Sequence, residues 1–286
     1  FLLLCQMAVT VAVLFFLRGA GRVQLAPISL TQAKKLLPVA ILYNANVAFA
    51  LASLAKVSVP TYNTLKRLTP AVVLAANKAL RLRPDPSKEV VACIVIVVLG
   101  CLIAGYGDLE FDPRGYVMGL TSCALQASYL LVVERTGAER GMSSIEIMVY
   151  NAMLSLPPLF LVVLATGELG SGMERLSAMS GDVGFVSVFV LALLAGMLLN
   201  YALFLCTLTN SALTTTVVGV LKGVVSTALG FFLLGGVDPS VTHVMGILTN
   251  TVGGVAYSCV TYSEKQAKRR MKVKNSDLDL AGSEGK

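Results

Sequence analysis

The sequence predicts an all-α polytopic membrane protein of nine transmembrane helices, built as two inverted repeats with the first helix missing. Three observations lead there. Of its 286 residues, 56% are hydrophobic and 14% charged, where soluble domains carry about 25% charged residues. Mean hydropathy is +0.77, so there is no room for a sizeable soluble domain. Apolar windows long enough to cross a bilayer, roughly 17–25 residues, recur along the whole chain. Finally, Asp85-Pro86-Ser87 returns as Asp238-Pro239-Ser240 and Gly100 as Gly253, and 238 − 85 and 253 − 100 both equal 153.

The spans fall at 1–17, 36–55, 59–80, 89–106, 115–133, 145–166, 183–206, 211–234 and 242–262, joined by short loops. The first opens on Phe1 with no charged leader, which reads as a fragment lacking its natural N-terminus. Loop charges set the orientation. Arg18, Arg22, Lys34 and Lys35, then Arg81, Arg83 and Lys88, then the six Lys and Arg residues of 265–274 share one face if nine spans alternate. Asp108, Glu110 and Asp112, then Glu168, Glu174 and Asp182, then Asp238, take the other. Basic loops stay cytosolic, so the C-terminus is cytosolic. The two Asp-Pro-Ser motifs then lie on opposite faces, as an inverted repeat requires, and the substrate site is expected near the bilayer midplane between the halves. The expected organisation is one transporter domain over 1–264. Residues 1–106 are what remains of the N-terminal repeat, 115–262 the C-terminal repeat, and 265–286 a polar, basic, disordered cytosolic tail. The basic cluster of the tail suits anionic headgroups.

The stretch that singles out a function is 210–234, NSALTTTVVGVLKGVVSTALGFFLL. Lys222 sits near its middle. A lysine at that depth costs roughly 2.5–3.5 kcal/mol on insertion scales and is kept where it faces a wet cavity or a partner. Thr214, Thr215 and Thr216 lie about two turns earlier, and Gly219 and Gly223 flank the lysine, where they admit a close neighbour or a ligand. The related span 59–80 carries Lys66 and Arg67, with Pro70 four residues past Lys66. The proline ring clashes with the Lys66 carbonyl and removes a backbone bond, which kinks the helix at the cations. Arginine offers a planar fork and lysine a point charge, and together they suit a diphosphate. The plainer alternative is that Lys66 and Arg67 snorkel to an interface.

Tyr150 and Asn151 open the span VYNAMLSLPPLF. A tyrosine can stack on a base and an asparagine can hydrogen-bond its edge; an interfacial tyrosine and an interhelical amide would look the same in sequence. Tyr43, Asn44, Asn46, Asn200 and Asn250 are read as interhelical packing. His243 reads as an interfacial histidine rather than a proton-coupling group, and Glu134, Arg135, Glu139 and Arg140 as a solvated loop. The six cysteines lie in apolar runs without ligand spacing and read as buried thiols. No metal, cofactor or nucleic-acid motif is present, and no catalytic constellation, so an enzyme is not expected.

NSALTTTVVGVLKG (210–223), VYNA (149–152), LKRLTP (65–70) and YSCVTYSEKQ (257–266) resemble the nucleotide-sugar transporters. These form the solute carrier 35 branch of the drug/metabolite transporter superfamily, and the resemblance is nearest to its UDP-sugar subgroup. It covers roughly 1–264. It implies ten helices in two inverted five-helix halves, both termini cytosolic, and a Golgi or endoplasmic reticulum antiporter. Such a carrier imports a cytosolic UDP-sugar in exchange for UMP. Guanine-specific members carry F-Y-N-N and G-A-L-N-K where this chain has Val149-Tyr150-Asn151-Ala152 and Gly219-Val220-Leu221-Lys222-Gly223, which favours uridine. Tyr150 and Asn151 map onto the base-contacting motif and Lys222 near the phosphate-contacting one. The implied site is therefore Lys222, Gly219, Thr215, Lys66, Arg67, Tyr150 and Asn151, in a bilayer, with the sugar unspecified and a homodimer one option. Two competing readings remain. A plastid-type sugar-phosphate/phosphate translocator on the same fold needs the cations but no base pocket. A non-transporting assembly protein would use them as structural pairs.

Overall fold

The computed structural model describes residues 1–23, 25–81, 86–106, 111–229 and 241–284. Within them lie eleven helices and no strand: α1 Leu2–Gly19, α2 Leu30–Leu54, α3 Val59–Lys66, α4 Thr69–Ala79, α5 Lys88–Tyr106, α6 Pro113–Arg140, α7 Ser144–Ala165, α8 Glu168–Ala178, α9 Val183–Thr209, α10 Ala212–Leu229 and α11 Val241–Glu284. Seven of these are long and apolar enough to cross a membrane: α1, α2, α5, α6, α7, α9 and the first half of α11. Of the two other expected spans, 59–80 is broken at Arg67–Leu68 into α3 and α4, and 211–234 runs past the described residues, which end at Leu229.

Helix starts have local causes. Ser58, Ser87, Asp112, Ser143 and Asp182 each offer a side-chain oxygen to a backbone N–H of the turn that follows, at α3, α5, α6, α7 and α9. Each cap satisfies a donor the helix cannot satisfy itself and contributes about 1 kcal/mol. Ser143 and Glu146 complete a capping box, with the Ser143 N–H donating to Glu146 Oε2 at 2.8 Å.

Two segments differ from expectation. The loop between the seventh and ninth helices contains α8, too short and too polar to register as a span. The tail read as disordered is helical: α11 continues without interruption to Glu284. The segment EKQAKRRMKVK is made almost wholly of strong helix formers, so a helix already nucleated in the span can propagate through it. Glu134 and Arg135 likewise belong to α6 rather than to a loop. The Asp-Pro-Ser motifs, through Asp85 and 238–240, fall wholly or partly outside the described residues, as do Asp108, Glu110 and the side chain of His243.

The repeat is legible in the helix register instead. Helices α2, α3 and α5 start at Leu30, Val59 and Lys88; α9, α10 and α11 start at Val183, Ala212 and Val241. The differences 183 − 30, 212 − 59 and 241 − 88 are all 153, the spacing of Gly100 from Gly253.

Packing divides the chain into two compact units, each drawing on both halves of the sequence. The first holds Phe1–Ala50 and Ala124–Thr215. Helix α1 packs on α7 and α9 around buried Met7, Leu14, Ile147, Leu193 and Phe204. The Tyr43 hydroxyl on α2 donates to Asn200 Oδ1 on α9 at 3.1 Å, and its ring meets Tyr129 edge-on at 5.8 Å. At the end of α6, Glu134 Oε2 accepts the Ala212 N–H at 2.8 Å, a carboxylate placed on the positive end of α10.

The second unit holds Leu51–Cys123 and Thr216–Lys286. Its spine is the antiparallel pair α5 and α11, packed through glycines. Gly100 abuts the Asn250 backbone, Gly246 abuts that of Ala104, and Gly253 lies on Val97. A Cβ at Gly100 would stand 2.6 Å from Asn250 Cα, so only glycine permits this approach. Val97 and Asn250 are also 153 apart. The contacts Gly100–Asn250 and Val97–Gly253 are therefore images of each other under the repeat.

Candidate functional site

The cations sit at the break between α3 and α4. Pro70 has no N–H to give the Lys66 carbonyl, and the Thr69 hydroxyl donates to it instead at 2.7 Å. The last turn of α3 tightens, with Leu68 N–H on Leu65 O at 2.9 Å and Arg67 N–H shared by Asn63 O and Thr64 O. Two thiols complete the arrangement: Cys101 donates to Thr64 O at 3.1 Å and Cys123 to Leu65 O at 3.3 Å. The kink expected from Pro70 is thus present, and its freed carbonyls are each satisfied.

The two cations at the break face different surroundings. Arg67 is 2% exposed and places Nη1 on Asn250 Oδ1 at 3.1 Å and Thr251 Oγ1 at 2.5 Å. Asn250 is in turn fixed, its amide donating to Val97 O at 2.9 Å and Cys101 Sγ at 3.0 Å. Arg67 therefore ties α3 to the α5–α11 spine. Lys66 is half-buried, with Nζ on Ser122 Oγ at 2.8 Å and over the Tyr62 ring at 5.8 Å.

Helix α10 lies alongside. Asn63 donates to Ser226 Oγ at 3.1 Å, and Gly223 faces Arg67. Lys222 is exposed. Gly219 opens on space with no neighbour within 4 Å of where a Cβ would stand. The second unit thus holds Lys222 and Gly219 exposed on α10, Lys66 half-buried on Ser122, and Arg67 buried against Asn250 and Thr251.

The remaining sequence-chosen residues lie in the first unit. Thr215 is 8% exposed at the corner of α9 and α10, its hydroxyl 2.9 Å from that of Thr207 and 3.1 Å from Ser211 O. Tyr150 is buried, and its hydroxyl accepts the Ser29 N–H at 2.9 Å and donates to Gln32 Oε1 at 2.9 Å, so it holds the start of α2. Asn151 is 2% exposed, and its Oδ1 has no hydrogen-bond partner. One turn along, Ser155 accepts from Asn44 on α2 at 2.7 Å. Sequence reasoning missed Ser122, Thr251, Ser226 and Gln32. Each is small or polar and unremarkable alone, and its partner is set by helix rotation, which composition does not encode. Asn44 and Asn250, read as packing, do make interhelical bonds; an amide within an apolar span was the available signal.

Helices throughout the described residues, seven of them long and apolar enough to cross a membrane, define a polytopic membrane protein. The chain belongs to the Triose-phosphate Transporter family, whose model matches residues 1–258. Among curated relatives, the UDP-galactose/UDP-glucose transporter 7 of Arabidopsis thaliana is 48% identical over 263 residues, covering 92% of this chain and 81% of the relative. The UDP-sugar transporter UST74c of Drosophila melanogaster is 30% identical over 93% of this chain and 71% of its own length. The human nucleotide sugar transporter SLC35D2 is 27% identical over 98% and 82%. One solved crystal structure superposes with a TM-score of 0.55 at 14% identity, over 91% of this chain and 89% of that one, a likeness of fold alone. The resemblance drawn from the sequence motifs is borne out.

Proposed function

We propose that this protein carries a UDP-sugar from the cytosol into the Golgi or endoplasmic reticulum lumen in exchange for UMP, by alternating access. The observation that carries the reading is Lys222, an exposed cation one turn past the open Gly219 on the helix that Ser226 joins to Asn63, and a nucleoside diphosphate supplies the matching charge. The names of the relatives support uridine nucleotides as the cargo, with UDP-galactose and UDP-glucose the first sugars to test. Three helix starts repeating at 153 residues support two inverted repeats and ten helices in the complete fold, and the basic loops support a cytosolic C-terminus. An empty carrier with Lys222 in the membrane reorients reluctantly, which would couple sugar import to UMP export. The tail of α11 would then project toward anionic cytosolic headgroups.

The test is uptake into proteoliposomes. Vesicles preloaded with UMP should take up labelled UDP-glucose or UDP-galactose; vesicles loaded with GMP or left empty should not. Lys222→Ala should abolish exchange. Folded protein that exchanges triose phosphate against phosphate, and no nucleotide, would replace this reading with the sugar-phosphate translocator.

A further inference from the structure

Helix α10 presents Lys222 to an anion only if its rotation is held, and the contacts on either side of the lysine show what holds it. Val220, 2% exposed, packs over Gly254 of α11, where a Cβ would collide with it. Gly223 is buried beside Arg67 of α3, with Arg67 Nε 3.6 Å from where a Cβ would stand. Both are contacts of shape, which have no preferred direction.

Direction comes from Asn63. Its Nδ2 on α3 donates to Ser226 Oγ on α10 at 3.1 Å, and both side chains are half-buried. A hydrogen bond weakens steeply as its length and angle leave the favoured range, so this one fixes both the height and the turn of α10 against α3. Ser226 is four residues past Lys222, about 6 Å along the axis and about 40° around it, so the two share a face of α10. On α3, Asn63 stands one turn before Arg67; on α10, Gly223 stands one turn before Ser226. Asn63 with Ser226 and Arg67 with Gly223 therefore lay the two helices antiparallel over one shared turn. Lys222 adjoins that turn.

We infer that Asn63 is a positioning residue for the cargo site: through Ser226 it holds the turn of α10 that presents Lys222. The inference rests on the reading of Lys222 as the anion ligand and adds to it a residue on another helix. Asn63 acts without touching the cargo. Without its amide the turn relaxes, and the lysine keeps its charge but not its place.

The measurement is equilibrium binding of UMP, and of uridine, which lacks the phosphate, to the full-length protein in detergent. The quantity read is the ratio of the two affinities. Asn63→Ala should lower the preference for UMP about fivefold, by weakening UMP and leaving uridine unchanged. Ser226→Ala should lower it equally, and the double variant no further, because both changes delete one bond. Ser226→Ala removes a single oxygen atom, so it carries the test alone where Asn63→Ala does not purify. In a Lys222→Ala background, Ser226→Ala should have no further effect on the ratio, because the bond acts through the lysine. Affinities for UMP and uridine that fall in proportion, as they do for a packing residue, overturn the inference. So does an unchanged ratio, or an effect that persists in the Lys222→Ala background. Wild-type protein with no preference for UMP over uridine, or a Lys222→Ala protein that keeps the wild-type preference, overturns the parent reading instead.

Discussion

Arg67 and Lys222 are both cations on the paired helices, yet removing each should have opposite consequences. Arg67→Ala deletes two hydrogen bonds from a guanidinium that is 2% exposed, to Asn250 and Thr251. Bonds to a charged group contribute about 1.5–3 kcal/mol each, so the loss is about 3–6 kcal/mol. A total stability of about 5–15 kcal/mol leaves little after that. Lys222 is exposed, and an exposed side chain removed to alanine changes stability by about 0.5 kcal/mol or less. The assay is thermal unfolding of detergent-purified protein by size-exclusion chromatography, run beside UMP affinity. Arg67→Ala should melt far below wild type or fail to purify. Lys222→Ala should melt with wild type and bind UMP at least tenfold more weakly, about 1.4 kcal/mol. Arg67→Ala protein of wild-type stability with weakened UMP binding would refute the assignment and return Arg67 to the ligand site.

Gly100→Leu should abolish folded protein, because its Cβ alone meets Asn250 backbone atoms that cannot move aside; yield of monodisperse protein reads it. Tyr150→Phe should lower the melting temperature through loss of two hydrogen bonds, about 1 kcal/mol each, and leave the UMP:CMP preference unchanged in competition assays. Asp112 accepts the N–H groups of Gly115 and Arg114 and lies 3.6 Å from Lys56, and these hold its carboxyl below the ordinary 3.8. Its contribution is complete above that ordinary value and is lost as pH falls through the depressed one. Melting curves should therefore be flat in this respect above pH ~5 and fall in acid, less steeply in Asp112→Asn.

Long-range order was largely legible, and local partners were not. Pro70 announced the break at Arg67–Leu68 because a missing N–H is a property of one residue. Apolar windows marked the long helices because bilayer thickness imposes a length. A 153-residue recurrence noted at Gly100 and Gly253 reappears in the starts of three helix pairs. Arg67 looked like a ligand for a diphosphate and is packed against Asn250 and Thr251, because which side of a kinked helix it occupies depends on rotation about the axis. Tyr150 was legible as a buried polar group, but its contact with Ser29 and Gln32 spans more than a hundred residues of chain. The continuation of α11 follows from helix propensity, which hydropathy windows ignore.

The break in α3–α4 has a counterpart that has not broken. Shifted by 153, Pro70 falls on Gly223, and there α10 runs on without interruption. Proline costs a helix interior about 3 kcal/mol and glycine about 1. One copy of the duplicated element has therefore been bent permanently by covalent chemistry. The other is held straight by its neighbours at a position that yields cheaply. One register position thus carries a built-in break in one helix and, in the other, a residue at which a break costs little; Lys222 is the residue immediately before that second position.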